Sequence, residues 1–248
     1  MPQSGPRRLS APRPRSLAVG VFARAPVAGR AKTRLISLLG ARGAAELQTA
    51  LILDTTQKVS KLARTAGCWL FCAGGTYPDF PGHSEWTLAE QRGRNLGARV
   101  DHAFQTLLRL HEAAVIIGND SPLLAPRTLH RAVNELRVCE AVLGPCPDGG
   151  FYLIGLRRPV PGIFRGVRWG TRFAFRDMRR NLVGAELACS ILEPVSDVDR
   201  PADLLALARQ LRKEPAKRQQ APALWQFVKA RRLALELPAK RKARGSDN

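Results

Sequence analysis

Short apolar segments alternate with longer amphipathic ones along most of this chain, and this alternation is what most constrains its fold. The strand-like segments, apolar enough to be buried on both faces, are residues 17–23, 68–73, 113–117, 141–144, 151–156 and 187–192. Apolar side chains at intervals of three and four predict helices over residues 35–64, 95–110 and 126–136 and from Pro201 onward. A break is expected in the first helix around Gly40–Gly43. Strands that alternate with helices predict an α/β fold with a mainly parallel sheet.

The two ends of the chain differ from its middle in charge. The 248 residues carry a net charge of +20. Residues 1–16 have four arginines and no acidic residue, and residues 207–248 have twelve basic and three acidic residues. We therefore predict a disordered basic leader over 1–16, a folded domain over 17–211 and a basic extension over 212–248, partly helical or disordered. The tail has no aromatic residue beside its cations, so a solvated tail is favoured over a nucleic-acid arm.

Cysteine usage indicates the cellular compartment of the protein, and hydropathy indicates whether the chain spans a membrane. The five cysteines form no C-x-x-C pair and are odd in number, which argues against a disulfide framework and a zinc site. We expect reduced thiols and a cytoplasmic protein. No apolar stretch approaches the roughly 18 residues that a membrane helix needs, so no membrane span is predicted.

The loop after the first predicted strand is strongly basic. Within eleven residues it holds Arg24, Arg30, Lys32 and Arg34, just before a predicted helix. Backbone N–H groups at a helix start, together with such side chains, suit a diphosphate or triphosphate. A solvated basic turn is the alternative, since neither the P-loop spacing nor G-x-G-x-x-G is present.

Acidic residues lie at three other predicted loops. Asp120 directly follows a buried strand, where one carboxylate and phosphate oxygens could hold Mg²⁺ or Mn²⁺, although a helix cap is the alternative. Asp148 precedes Gly149 and Gly150, which fit either a common turn or a close backbone approach to a nucleotide or sugar. Asp199 shares a face with Asp197 if that segment is extended, and it offers a second carboxylate for the metal unless it is only a helix-start acid.

Six motifs stand in an order that is found in a known group of proteins. They are F-A-R-A-P-x-x-G-R-x-K-T-R-L at 22–35, Q-x-G-x-x-L-G-x-R at 91–99, G-x-D-x-P at 118–122, G-P-x-x-D-G-G-F-Y-L-I-G-L at 144–156, W-G-T at 169–171 and D-V-D-x-P-x-D-L at 197–204. With these motifs the chain, over about residues 17–211, resembles the bacterial GT-A-type glycosyltransferases, a domain-of-unknown-function group with some members linked to arsenosugar biosynthesis. That group lies within the nucleotide-diphospho-sugar transferase superfamily, near the phospholactate and molybdenum-cofactor guanylyltransferases.

The resemblance implies a single GT-A, Rossmann-like domain with a mainly parallel mixed sheet, and it implies roles for individual residues. The implied nucleotide-binding residues are Arg24, Pro26, Gly29, Lys32, Thr33, Arg34, Gly118, Gly149 and Gly150. Asp120 would be the metal-binding aspartate. The chain departs from the family pattern at Ser121, often Cys there, at Leu123, often Asp, and at Arg200, often Thr. Because the acid at position 123 is missing, Asp199 gains importance as a second ligand of Mg²⁺ or Mn²⁺.

These observations predict a metal-dependent transferase that moves a sugar from a nucleoside-diphosphate sugar to a small acceptor. Lys32 and Arg34 would hold the phosphates, and Asp148 would be the general base in an inverting reaction. The nearest alternative is a nucleotidyltransferase of the guanylyltransferase kind, which releases pyrophosphate. A distant alternative is a noncatalytic nucleic-acid-binding module that uses the basic ends.

Overall fold

A computed structural model describes residues 17–63, 65–75, 77, 80 and 82–233. Its strands are β1 (Leu17–Arg24), β2 (Gly67–Ala73), β3 (Trp86–Glu90), β4 (Ala113–Gly118), β5 (Ala141–Pro145), β6 (Phe151–Leu156) and β7 (Cys189–Ile191). Its helices are α1 (Ile36–Ser60), α2 (Leu96–Leu108), α3 (Pro126–Glu135), α4 (Ala174–Gly184), α5 (Pro201–Lys213), α6 (Pro215–Gln220) and α7 (Pro222–Ala230). None of these helices is long and apolar enough to cross a membrane. The predicted leader over 1–16 and the tail beyond residue 233 lie outside the described residues.

The strands form one sheet in the order β3-β2-β1-β4-β6-β5-β7. Strand β6 runs antiparallel to β4 and β5, and the other neighbouring pairs are parallel. This confirms the predicted α/β domain with a mainly parallel mixed sheet. The register sets Phe22 beside Gly118 and Arg24 beside Ala73, so β1, β2 and β4 end at the same edge. Ligands of such sheets bind beyond the carboxyl ends of the strands.

Residues 17–23 of strand β1 are all apolar because helices cover both faces of the sheet. Its odd-numbered residues, such as Val19, pack in a core with side chains of α1 and α3. Its even-numbered residues Ala18 and Phe22 pack in a second core with α2 and α4. A strand that is buried on both faces gains from an apolar side chain at every position, so the continuous run at 17–23 follows from its central place.

Three local features test the predicted elements further. The expected break in the first helix is confirmed at Gly40, whose φ of 71° and ψ of 166° are not helical. Strand β3 was not predicted, because Trp86 alone among its five residues is buried. Helix α4 was also missed, although its buried Ala174, Met178 and Leu182 recur every four residues.

The last helices belong to a third core around α1. On α7, Leu224, Phe227 and Val228 pack with α1 and α5. Asp54 of α1 accepts hydrogen bonds from the backbone N–H groups of Ala223 (2.8 Å) and Leu224 (2.9 Å) at the start of α7. A carboxylate in that position satisfies orphan donors and interacts favourably with the helix dipole. The domain boundary predicted at residue 211 falls within α5, and α7 beyond it packs on α1.

We expect Leu224→Ala to lower the free energy of unfolding by about 2–5 kcal/mol, since the side chain is fully buried and its loss leaves a cavity. Urea denaturation followed by circular dichroism measures this difference. Leu110→Ala is the matched control, because Leu110 is 53% exposed and its loss should change the free energy of unfolding by less than about 1 kcal/mol. Equal effects of the two substitutions would show that α7 is not part of the folded core.

Candidate active site

A cleft of about 790 Å³ lies beyond the carboxyl ends of β1 and β4. The predicted site residues on its walls are Arg24, Lys32, Thr33, Arg34, Gly118, Asp120 and Asp199. The predicted residues Pro26, Gly29, Asp148, Gly149 and Gly150 are not among its lining residues. The strand order brings the basic loop and Asp120 to the same edge, and the segment before α5 adds Asp199.

Lys32 is the centre of the polar contacts on this wall. Its backbone has a φ of 45° and a ψ of 46°, a left-handed conformation that turns the chain just before α1. The side chain is only 6% exposed, and Nζ lies 2.8 Å from Asp120 Oδ1 and 3.6 Å from Asp199 Oδ1. Nζ also donates a hydrogen bond of 2.6 Å to the carbonyl oxygen of Val198. An ammonium has three N–H donors, and here three protein oxygens surround it.

The remaining cations of the cleft divide into two groups. Arg34 Nη1 lies 2.5 Å from Asp199 Oδ2, so this arginine also neutralises a carboxylate of the wall. Arg24, Arg30 and Arg99 line the cleft, and within the described part of the chain no carboxylate is within ion-pair distance of them. The cleft thus presents three uncompensated positive charges, which suits an anionic ligand such as a phosphate ester.

Backbone contacts fix the loop that carries Asp120. The backbone N–H of Val198 donates to the carbonyl oxygen of Asp120 at 2.9 Å, which joins the two acidic segments. Lys58, a buried lysine of α1, donates from Nζ to the carbonyl oxygen of Pro122. Burial lowers the pKa of Lys58 to about 8, against 10.5 ordinarily, while Asp54 nearby opposes that shift.

A second acidic group lies close to this wall. Ligand atoms of Cys146, Asp148 and Asp197 all lie within 4.8 Å of one another, the one such group of three among the described residues. Burial, followed by the charge of Asp148, raises the pKa of Asp197 to about 6. Burial also raises the pKa of the Cys146 thiol to about 12, with smaller contributions from Asp197 and Asp148. The structure therefore sets Asp148 beside Asp197, whereas Asp120 and Asp199 meet at Lys32.

The Asp-Gly-Gly segment forms a tight turn that packs on residues 172–175. Asp148 Oδ1 accepts a 2.8 Å hydrogen bond from the backbone N–H of Gly150. Gly149 has a φ of 89°, and a Cβ there would lie 2.1 Å from the carbonyl oxygen of Arg172. Its own carbonyl oxygen accepts from the N–H of Phe175 at 3.0 Å. The close backbone contact that requires glycine at position 149 is therefore made with Arg172 of the same chain.

Several wall residues had no predicted role. Gln91 and Arg99 line the cleft, and their place in the motif at 91–99 could have identified them as site residues. Gln91 Nε2 donates hydrogen bonds to the carbonyl oxygens of Ala23 (3.0 Å) and Phe71 (2.9 Å). Trp169, from the W-G-T motif, also lines the cleft. Asn119 is 3% exposed, and its Nδ2 is the buried side-chain polar atom without a partner in the described residues. No sequence pattern points to Asn119 except that it precedes Asp120.

The oxygens around Lys32 also fit a divalent metal ion. Two carboxylate oxygens, from Asp120 and Asp199, and the carbonyl oxygen of Val198 converge on one position that a cationic group occupies. Mg²⁺ and Mn²⁺ prefer such oxygen ligands and complete their coordination with water and phosphate oxygens. The donor set is therefore chemically suitable for either ion.

Comparisons with known proteins agree with the motifs and the fold. Residues 50–171 match the model of a family described as an uncharacterized protein conserved in bacteria, DUF2064. A protein of Desulfovibrio desulfuricans G20, described as a proposed nucleotide-diphospho-sugar transferase, has a solved structure that is similar over 87% of this chain and 96% of its own, with 29% identity and a TM-score of 0.76. Together these matches confirm the family resemblance, while the arsenosugar link stays a prediction. No curated protein matches the sequence.

More distant structures share the fold alone. A CMP:2-keto-3-deoxy-manno-octonic acid synthetase complexed with CTP is 11% identical, with a TM-score of 0.51 over 80% of this chain and 99% of its own. The 4-diphosphocytidyl-2C-methyl-D-erythritol synthase of Anaerococcus prevotii DSM 20548 is 9% identical, with a TM-score of 0.51 over 79% of this chain and 99% of its own.

We expect Gly149→Ala to destabilise the protein by more than about 2 kcal/mol, because the residue has a positive φ and no room for a Cβ beside Arg172. Gly150→Ala is the matched control, since Gly150 does not have a positive φ and a Cβ there would lie 3.1 Å from the Asp148 side chain, which can move. Thermal or urea unfolding compares the two. A Gly149→Ala variant as stable as Gly150→Ala would contradict the packing described for this turn.

The buried Lys58 predicts a dependence of stability on pH. Its pKa is about 8 in the folded protein and 10.5 ordinarily, so between these values the unfolded chain binds more protons and stability rises with pH. The free energy of unfolding of the wild type minus that of Lys58→Met should therefore rise by about 2–3 kcal/mol between pH 7.5 and 10.5. Urea unfolding of both proteins across this range measures the difference, and a flat difference would refute the prediction.

Proposed function

We propose that the protein is a transferase acting on a nucleotide-activated donor. Residues 50–171 match the model of this bacterial family, and the fold is that of a nucleotide-diphospho-sugar transferase. The observation that carries the proposal is the cleft at the carboxyl edge of the sheet, with Arg24, Arg30 and Arg99 free of carboxylate partners among the described residues. Charge-assisted hydrogen bonds from arginine to phosphate are strong and directional, so these three residues would bind the donor's phosphates.

The finer proposal is sugar transfer from a nucleoside-diphosphate sugar to a small acceptor. The description of the Desulfovibrio protein, which is 29% identical, supports it. Asp120 and Asp199, with the carbonyl oxygen of Val198, would hold Mg²⁺ or Mn²⁺. When bound, the ion would neutralise charge on the departing nucleoside diphosphate.

The chain's own residues would contribute binding and electrostatic stabilisation. Arg34, which is exposed and already beside Asp199, would stabilise negative charge that develops on the leaving phosphates. Gln91 would help to form the nucleotide site, since its amide fixes the ends of β1 and β2 next to the cleft. Asp148 is the proposed base of an inverting reaction, and an oxygen of its carboxylate lies within 4.8 Å of one of Asp197.

One observation favours nucleotidyl transfer as a second candidate. The carboxylates that line the cleft within the described residues are Asp120 and Asp199, and both are paired with cations. Attack by an acceptor phosphate on the α-phosphate of a nucleoside triphosphate needs no carboxylate base, whereas it does need cations beside the phosphates. The released product separates the two reactions: a nucleoside diphosphate for sugar transfer, pyrophosphate for nucleotidyl transfer.

A ligand panel followed by a product assay tests the proposal. Thermal unfolding with nucleoside triphosphates, nucleoside diphosphates and nucleotide sugars, each with and without Mn²⁺, identifies the donor class because a ligand of the native state raises the melting temperature. The best ligand then serves in an assay of released diphosphate and pyrophosphate. If no nucleotide raises the melting temperature, the protein is not a nucleotide-dependent transferase.

We expect Arg24→Gln to weaken nucleotide binding by roughly tenfold to a hundredfold, since a hydrogen bond to a charged group contributes on the order of 1.5–3 kcal/mol. Calorimetric titration with the ligand from the panel measures the dissociation constant. Arg42→Gln removes an equal charge from an arginine of α1 that is not a lining residue of the cleft, so its dissociation constant should match that of the wild type. An unchanged constant for Arg24→Gln would remove this arginine from the phosphate site.

A further inference from the structure

Resting on the proposed function, we propose that the Lys32 ammonium occupies the divalent-metal position between Asp120 and Asp199 in the free protein. A metal ion then enters only when Lys32 leaves, and a bound nucleotide is what draws it away. Lys32 is thereby a positioning residue that orders binding, with the nucleotide first and the metal second. The sequence suggested a simpler role for it, as one of several phosphate-binding cations of the basic loop.

The contacts of Nζ are those expected of a bound cation. It lies among three oxygens from two separate segments, Asp120 Oδ1 at 2.8 Å, Asp199 Oδ1 at 3.6 Å and the Val198 carbonyl at 2.6 Å. A surface lysine would keep its ammonium in water, but this side chain is 6% exposed. These are the same oxygens that a magnesium or manganese ion would require.

Charge balance explains why the free protein would exclude a divalent ion. The two carboxylates carry two negative charges, and Lys32 together with Arg34 supplies two positive charges. The group is neutral as it stands, so it attracts a cation weakly. An ion within a few ångströms of the ammonium would also be repelled by it, since like charges at this distance interact strongly at a partly buried site.

A nucleotide can release Lys32 because phosphate oxygens offer equivalent bonds. Lysine is a flexible point charge with three rotatable donors, so its ammonium can exchange a carboxylate for a phosphate without backbone movement. The cleft that Lys32 lines already has Arg24, Arg30 and Arg99 to bring a phosphate close. Once the ammonium has moved, the group of Asp120, Asp199 and Arg34 has one net negative charge, which attracts a divalent ion.

Weak metal binding to the free protein could have two causes: too few oxygen ligands, or occupation of the metal position by the Lys32 ammonium. Substitution of Lys32 distinguishes them. If the protein simply offers too few oxygens, then removing the lysine changes nothing. If the ammonium holds the position, then Lys32→Met should bind Mn²⁺ without any nucleotide. Asp120 and Asp199 remain 45% and 39% exposed at their side chains, so water can solvate them in the variant.

The experiment is a titration of the nucleotide-free protein with Mn²⁺, followed by the electron paramagnetic resonance signal of the free ion. We expect Lys32→Met to bind Mn²⁺ at least about tenfold more tightly than the wild type, because one adjacent like charge is lost. Lys32→Ala should behave in the same way and serves if Lys32→Met does not fold. Lys32→Arg keeps the charge and should not gain affinity.

Two further variants locate the effect. Arg30→Met removes a cation that lines the cleft but has no carboxylate partner among the described residues, and it should not gain Mn²⁺ affinity. Asp120→Asn combined with Lys32→Met should lose the affinity that Lys32→Met gained. Folded Lys32→Met and Lys32→Ala proteins that bind Mn²⁺ no better than the wild type would overturn the proposal. Because no nucleotide is present, this result is independent of the ligand panel that tests the proposed function.

Discussion

The parallel pairing of β1 with β4 decides where the functional side chains of this protein lie. Both strands run in the same direction at the centre of the sheet, so the basic loop after β1 and Asp120 after β4 leave the same edge. Neither loop could reach the other if one strand were reversed. The three oxygens around Lys32 depend on this arrangement, because Asp120 follows β4 and the backbone of Val198 is hydrogen-bonded to that of Asp120.

The fold could be predicted largely because its central strands are buried on both faces. Such strands need apolar residues at every position, and the segments 17–23 and 113–117 are visible in the sequence for that reason. Strand β3 lies at the edge of the sheet, where one buried Trp86 suffices, so its sequence carries almost no signal. Strand β7, at the opposite edge, was predicted because the buried Leu187 and Leu192 flank it.

The candidate site was predictable in its residue types and much less so in its contacts. Motif spacing pointed to Lys32, Asp120 and Asp199, and the structure brings these three together. Motif spacing could not show that the ammonium of Lys32 points at the two carboxylates, because these contacts join residues more than 80 positions apart in the sequence. Gly149 illustrates the same limit: a glycine between two strands suggests a turn or a ligand, and only the packed structure reveals the carbonyl oxygen of Arg172 beside it.

The cap that Asp54 provides for α7 has a consequence for how the protein is made. The carboxylate lies in the first quarter of the chain, and the amides that it binds belong to residues 223 and 224. On a ribosome, the outer face of α1 therefore stays exposed until nearly the whole domain has been synthesised. During that time the leucines of α1 and the carboxylate of Asp54 lack these partners, so the nascent chain exposes apolar surface of the kind that favours aggregation.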